Sequence, residues 1–177
     1  MSKISFIFAA LIVSVQLLPA QFLTETPPPQ EESNTAGAKL YFDYSIPLKG
    51  ITASVSDFRV YQDQPTLVYY FSALCPHCKS SYPLIAKVSD QFKDLGLKTI
   101  AVAINNNSRI DVLKFSKELK AKLPFAQDVS RQFSDKYGVG HVPLTVLIKP
   151  DGTYIRYDHV GEQIEYLKAE IKLLLGG

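Results

Sequence analysis

The chain of 177 residues holds two cysteines, and they fall in one tetrapeptide, Cys75-Pro76-His77-Cys78. Two thiols at that spacing can close a small disulfide ring and reopen it, which is two-electron redox chemistry carried by side chains alone. A short apolar run, Thr66 to Ser72, precedes the pair, and a helical repeat follows it, so the motif falls where a strand passes into a helix. At a helix N-terminus the unpaired amides and the dipole favour negative charge, so a thiol there loses its proton more readily. On this reading Cys75 sits at the exposed cap and Cys78 one turn in, within bridging reach. A protonated His77 close to the sulfur adds to the effect.

Other uses of the pair compete. A structural disulfide around so short a loop removes little chain entropy and makes an odd staple. Zinc or copper could take Cys75, Cys78 and His77, but a second ligand pair is missing. Haem attachment needs histidine directly after the second cysteine, and position 79 is Lys. Redox catalysis is the reading that the strand-to-helix context favours, with a copper-binding module and a redox-inactive adaptor as rivals. The copper reading is weakened because the only methionine is Met1.

The elements that must position the pair alternate strand and helix. Thr66 to Ser72 is rich in β-formers, as a strand buried on both faces should be. Ile85, Val88, Phe92 and Leu95 recur at helical spacing up to Gly96, with Pro83 inside the helix. Lys98 to Ile104 reads as a second buried strand closed by Asn105-Asn106-Asn107. Ser108 with Asp111 is a capping signature for a helix to about Lys122. A short helix covers Ser130 to Tyr137, Leu144 to Lys149 and Thr153 to His159 are strands about the turn Pro150-Asp151-Gly152, and Glu162 to Leu175 is the last helix. Upstream, Tyr41 to Ser45 and Ile51 to Val55 are candidate short strands. The expected fold is α/β, a central mixed sheet flanked by helices on both faces.

Composition narrows the function classes. Hydrophobic residues make up 46% and charged ones 20%, which is globular composition. The net charge of +2 argues against a nucleic-acid binder, which concentrates basic surface. Lys3 followed by the apolar run from Ile4 to Leu18, with Pro19-Ala20 after it, has the layout of a secretory signal peptide over residues 1–20. The run is shorter than the roughly 20 residues that span a bilayer. Residues 21–38, with Pro27-Pro28-Pro29, read as a disordered linker, leaving 39–177 as the folded domain. The expectation is an exported protein, periplasmic or extracellular, either released or tethered by an uncleaved signal.

The segment from Tyr70 through Cys75-Pro76-His77-Cys78 to Lys79 resembles the active site of the thioredoxin superfamily, and Val139 to Thr145 resembles its cis-proline loop. Ser56-Asp57-Phe58, the helix near 108–122 and Lys149-Pro150-Asp151-Gly152 are similar to the exported TlpA/ResA-like branch. The resemblance implies a thiol–disulfide oxidoreductase that works as a monomer on protein thiols and disulfides, without a diffusible cofactor. Its electrons come from a membrane-bound or soluble thiol partner. It implies that Cys75 attacks, Cys78 resolves the mixed disulfide, Pro143 is cis and packs on the sulfurs, and Val142 offers backbone hydrogen bonds to substrate. Pro76 and His77, the dipeptide also found in the strong oxidant DsbA, push the potential upward. The rival becomes a thioredoxin-like copper metallochaperone. The chain also departs from the pattern. Leu74 stands where tryptophan is usual, and Tyr69 and Ser81 stand where relatives carry acids. Proton handling is thus left without a carboxylate. The Thr-x-x-Cys of peroxidatic relatives is absent. His141, two before Pro143, could border the active site but reads more simply as a surface-loop histidine, and His159 reads as a structural one.

Overall fold

The computed structural model describes residues 30–31 and 40–176. The expected signal peptide and all of the expected linker except Gln30 and Glu31 lie outside the described residues. The strands are β1 (Gln30–Glu31), β2 (Lys49–Gly50), β3 (Thr66–Phe71), β4 (Lys98–Ala103), β5 (Phe125–Gln127), β6 (Leu144–Ile148) and β7 (Tyr154–Tyr157). The α-helices are α1 (Pro76–Phe92), α2 (Arg109–Glu118), α3 (Gln132–Lys136) and α4 (Val160–Leu175). The strands form one sheet in the order β1-β7-β6-β3-β4-β5-β2. It is mixed: β3 is parallel to β4 and antiparallel to β6, with Val68 opposite both Ile100 and Val146. This is the α/β thioredoxin-like architecture expected from the sequence.

All six residues of β3 are buried, as a central strand covered on both faces requires. Its side chains divide by parity. Leu67, Tyr69 and Phe71 face the core built with α1, α2 and α4, while Val68 and Tyr70 face the other core. That second core is mostly aromatic: Phe133 of α3 stacks on Tyr70 with ring centroids 4.7 Å apart, and Phe42 stacks on Tyr137 at 5.3 Å. The parity puts Tyr69 on the same side of the sheet as α1, the helix that carries the cysteines.

Helix α1 buries Cys78, Tyr82, Ile85, Val88 and Phe92 along one stripe and ends through a short 3-10 turn at Gly96, whose φ of 110° suits glycine. Pro83 stands inside it, exposed, without the N–H that an interior residue would donate. Helix α2 has the full capping box of Ser108 and Asp111 but stops at Glu118, short of the expected Lys122. Lys120 takes φ 48° and Pro124 follows, so the chain turns out of the helix to enter β5. The two candidate strands near the start of the domain are not formed. Tyr41 makes a single bridge to Thr153, and the N–H groups of Ile51, Thr52 and Ala53 all converge on the Phe125 carbonyl at 2.9–3.2 Å. Between them lies β2, antiparallel to β5.

Candidate active site

Strand β3 delivers the chain to the site and α1 takes it away. The turn between them is held by hydrogen bonds to its own backbone and to one distant side chain. Ser72 O accepts from Cys75 N–H at 3.2 Å, and Ser72 Oγ accepts from Leu74 N–H at 3.3 Å. Asn107, buried in the loop after β4, accepts from Ala73 N–H through Oδ1 at 2.7 Å and donates from Nδ2 to Ser72 Oγ at 3.3 Å. Gln127 of β5 in turn donates to the Asn107 carbonyl. The active-site turn is thereby tied through Asn107 to two neighbouring strands.

Cys75 occupies the N-cap of α1 in extended conformation, with Pro76 at the first helical position, where a missing N–H costs nothing. The two sulfurs, both free thiols, meet different surroundings. Cys75 is partly exposed, and its thiol faces the Val142 carbonyl at 3.8 Å. Cys78 is fully buried, and its sulfur accepts from Ser72 N–H at 3.4 Å. Burial pushes the Cys78 thiol up to about 12, opposed by the hydrogen bond from Ser72 N–H and reinforced by the neighbouring Cys75. Beneath it, the Tyr69 hydroxyl donates to the Cys78 carbonyl at 2.8 Å and lies 2.7 Å from Ser81 Oγ, which also reaches the His77 carbonyl at 2.8 Å. Burial raises the Tyr69 phenol as well, so it is neutral across the physiological range.

The Val142–Pro143 peptide is cis, and Val142 packs against both cores at the edge of the cysteine pair. A cavity of about 460 Å³ opens beside it, lined by Ser81, Pro143, Glu162 and all three histidines of the chain, His77, His141 and His159. His141 and His159 stack with centroids 6.1 Å apart, and His141 Nε2 approaches Asp158 at 3.9 Å. His141 is an exposed loop residue, as the sequence suggested, and also borders the cavity. His159 is the N-cap of α4, where its carbonyl accepts from the Glu162 and Gln163 N–H groups, and its exposed side chain borders the cavity. It follows a strand in the sequence, and only the return of β7 past the 141–143 loop brings it to the cavity.

The structure gathers Cys75, Pro76, His77, Cys78, Val142 and Pro143 in one place. Sequence reasoning missed Asn107, taken only as part of a turn, and the pairing of Tyr69 with Ser81. The parity of β3 and the three-residue spacing from Cys78 to Ser81 were the signals for that pairing. No group of three or more His, Cys, Asp or Glu side chains that could hold a metal ion occurs among the described residues. No helix among them is long and apolar enough to cross a membrane.

A model of the AhpC/TSA family matches residues 42–157, which include both cysteines and the cis-proline loop. The chain belongs to the AhpC/TSA family. Within the broader thioredoxin-fold superfamily, this AhpC/TSA member is related to proteins of the ResA type. It is 32% identical over 87 residues to the thiol-disulfide oxidoreductase ResA of Bacillus subtilis, a match covering 49% of this chain and 48% of that one. The chain thus spans about half the length of that relative. The ResA of Halalkalibacterium halodurans is 23% identical over 128 residues, with 72% of each chain covered. Solved structures confirm the fold. A thiol-disulfide isomerase from Corynebacterium glutamicum superposes with a TM-score of 0.66 at 16% identity, covering 78% of this chain and 97% of its own. The thioredoxin domain of a thiol-disulfide oxidoreductase from Bacteroides vulgatus gives 0.62 at 17% identity, covering 72% and 95%.

Proposed function

We propose that the protein is an exported thiol–disulfide oxidoreductase acting on the cysteines of other proteins. The observation that carries this reading is the inequality of the two sulfurs: Cys75 reachable at a helix N-terminus, Cys78 sealed behind it. In the reducing direction the Cys75 thiolate attacks one sulfur of a substrate disulfide, and the other substrate sulfur leaves as a thiolate. Cys78 then gives up its proton and attacks the Cys75 sulfur. That closes the Cys75–Cys78 disulfide, releases the second substrate thiolate and leaves the substrate reduced by two electrons. The oxidising direction is the reverse, and a membrane-bound or soluble thiol partner resets the pair.

The roles around the pair follow from placement. Pro76 fixes the first turn of α1 and His77 presents its side chain to the cavity. Pro143, next to the Val142 whose carbonyl faces Cys75, forms part of the cavity wall with His77. The Val142 carbonyl that faces Cys75 is free to accept a hydrogen bond from an extended substrate backbone once the sulfur has reacted. Residues 1–20 serve as the export signal, residues 21–38 as a linker in which Gln30–Glu31 adds an edge strand to the sheet, and 39–177 as a catalytic domain that works as a monomer. The copper-carrier alternative lacks support in the geometry, since the cysteines and histidines do not form a ligand cluster among the described residues.

The test is the reduction potential of the Cys75–Cys78 couple, equilibrated in glutathione buffers and read by the mass shift on alkylation. A reversible two-electron couple is expected. A value of about −270 mV assigns the reducing direction, and about −120 to −180 mV the oxidising one, with Pro76 and His77 raising it. Cys78→Ser should trap a Cys75-linked substrate, and Cys75→Ser should trap none. Absence of a reversible couple overturns the reading.

A further inference from the structure

Two cavities meet at the cis-proline loop. The one described above runs toward His77 and α4, and its described lining carries Asp158 and Glu162 but no lysine or arginine. The other, of about 250 Å³, runs toward α3 and the loop after β4, where Asn105, Asn106, Arg131 and Ser134 line it with Tyr70. His141 and Val142 border both. The Val142 carbonyl faces the Cys75 sulfur at 3.8 Å, so a substrate chain joined to Cys75 crosses the divide between the cavities. Residues before and after the substrate cysteine therefore meet different walls. Arg131 is the one lysine, arginine, aspartate or glutamate among the described residues lining the second cavity. Its place is built from below. Asp128, 0% exposed, accepts from the Tyr70 hydroxyl at 2.9 Å and from the Phe133 and Ser134 N–H groups at 3.4 and 3.2 Å. Ser134 Oγ in turn donates to the Arg131 carbonyl at 3.1 Å. With the buried carboxylate occupied by three donors, the charge offered at the rim is the guanidinium. Burial raises the Tyr70 phenol, and the Arg131 charge opposes that rise.

We propose that Arg131 selects protein substrates that carry aspartate or glutamate on one side of the reacting cysteine. The proposal rests on the redox reading above and gives it a substrate class. A guanidinium takes a carboxylate through two parallel N–H donors, a match that few other residues of a substrate can offer. Within the chain Arg131 already pairs with Asp135, through bonds of 3.2 and 3.1 Å from Nε and Nη2 to a single carboxylate oxygen. The two side chains are 59% and 62% exposed, and an ion pair so open to water is weak, so a substrate carboxylate can share or replace it. On the other side of the substrate cysteine an acid gains nothing comparable. There it meets the exposed Glu162 and Asp158, whose carboxylate accepts from Arg156 at 3.1 Å. The selection thus has a direction along the substrate chain. Arg131 acts on binding and orientation, and the exchange of sulfur bonds at Cys75 is unaltered.

The experiment uses three short peptides, each with one cysteine activated as a mixed disulfide by the aromatic disulfide DTNB. One has Asp-Asp before the cysteine and Gln-Gln after it, one the reverse, and one Gln-Gln on both sides. Reduced full-length protein attacks the peptide sulfur through Cys75, and thionitrobenzoate leaves as a coloured thiolate. Cys78 then closes the Cys75–Cys78 disulfide and frees the peptide thiol. At low salt one of the two acidic peptides should react about fivefold faster than the neutral one, and the other no faster. Arg131→Glu should turn that advantage into a disadvantage, Arg131→Lys should keep its sign, and Asp135→Asn should enlarge it. Arg131 is exposed, so these changes leave the core alone. Equal rates for all three peptides overturn the proposal. So does an equal gain for both acidic peptides, which would report attraction to the protein as a whole, and so does a preference that survives Arg131→Glu. Wild-type protein that keeps the peptide on Cys75 and never closes the Cys75–Cys78 disulfide overturns the redox reading instead, and the substrate class with it.

Discussion

The mouth of the active site and its floor are built on opposite principles from residues a few positions apart. The mouth, comprising Leu74, Cys75, Pro76 and His77, is exposed or half-exposed and is held by backbone geometry: an N-cap, a proline at the first helical position and a turn closed on Ser72. The floor, comprising Tyr69, Cys78 and Ser81, is buried and held by side-chain hydrogen bonds. The proposed exchange needs the first to be reachable, and its second step needs the partner sulfur to be at hand but unreactive toward anything except Cys75. Burial supplies that restraint, because taking a thiolate out of water is costly. The difference teaches that, in the exchange proposed above, the order of attack is set by solvation rather than by the identity of two chemically equal cysteines.

The largest expected effect of this contrast is on stability at alkaline pH. In the unfolded chain the Cys78 thiol ionises near its ordinary value of 9.0, and in the folded protein near about 12. Between those values the folded state holds a proton that the unfolded state has released, so each unit of pH rise favours unfolding. The reduced protein should keep its full stability below pH 9 and lose about 4 kcal/mol by pH 12. The oxidised protein has no such thiol and should lack that slope. Tyr69, Tyr70 and Tyr137, all raised by burial, act on both forms, so the gap between the two curves isolates the thiols. Urea midpoints of the two redox forms across this range measure it, and parallel curves would show that Cys78 is not desolvated.

Next in size is the tether between mouth and floor. Asn107→Ala leaves the Ala73 N–H and Ser72 Oγ without their partner, beside a cavity where the amide stood. A buried donor left unsatisfied costs about 1–3 kcal/mol. Chemical denaturation should show that loss. Alkylation of Cys75 should become less selective over Cys78 as the turn loosens. A variant with the stability of wild type would mean that the turn holds itself.

These residues also mark how far sequence reasoning reached. Local signals were legible: the cysteine spacing, the apolar runs of β3 and β4, the Ser108–Asp111 box and the Pro150-Asp151-Gly152 turn each act within a few residues. Strands that exist only because of a distant partner were not. Phe125–Gln127 is too short to alternate, and Lys49–Gly50 becomes a strand by pairing with Gln127 and Ala126. Gly50 is needed there because a Cβ would strike the Ala53 carbonyl. Asn107 looked like a turn residue because its partners lie more than thirty positions upstream. The same distance hid the cavity, since its three histidines come from three separate segments that meet only when β6, β7 and α1 are assembled.

The smallest expected effect on stability belongs to the mouth itself. Leu74 is 69% exposed beside Cys75, a large apolar side chain that contributes almost nothing to the core. Leu74→Ser should change folding stability by no more than about 0.5 kcal/mol. If the mouth is a docking surface, the same substitution removes apolar contact with a protein substrate, so KM for a protein disulfide should rise about fivefold, a loss of roughly 1 kcal/mol. DTNB touches only the sulfur and should react at the wild-type rate. Steady-state kinetics with insulin and with DTNB distinguish the cases. Equal slowing with both would place Leu74 in the electronic or structural support of Cys75, whereas an effect confined to the protein substrate assigns it to recognition. The second outcome would extend the contrast between mouth and floor from solvation to function, with exposed residues choosing the partner and buried ones completing the proposed exchange.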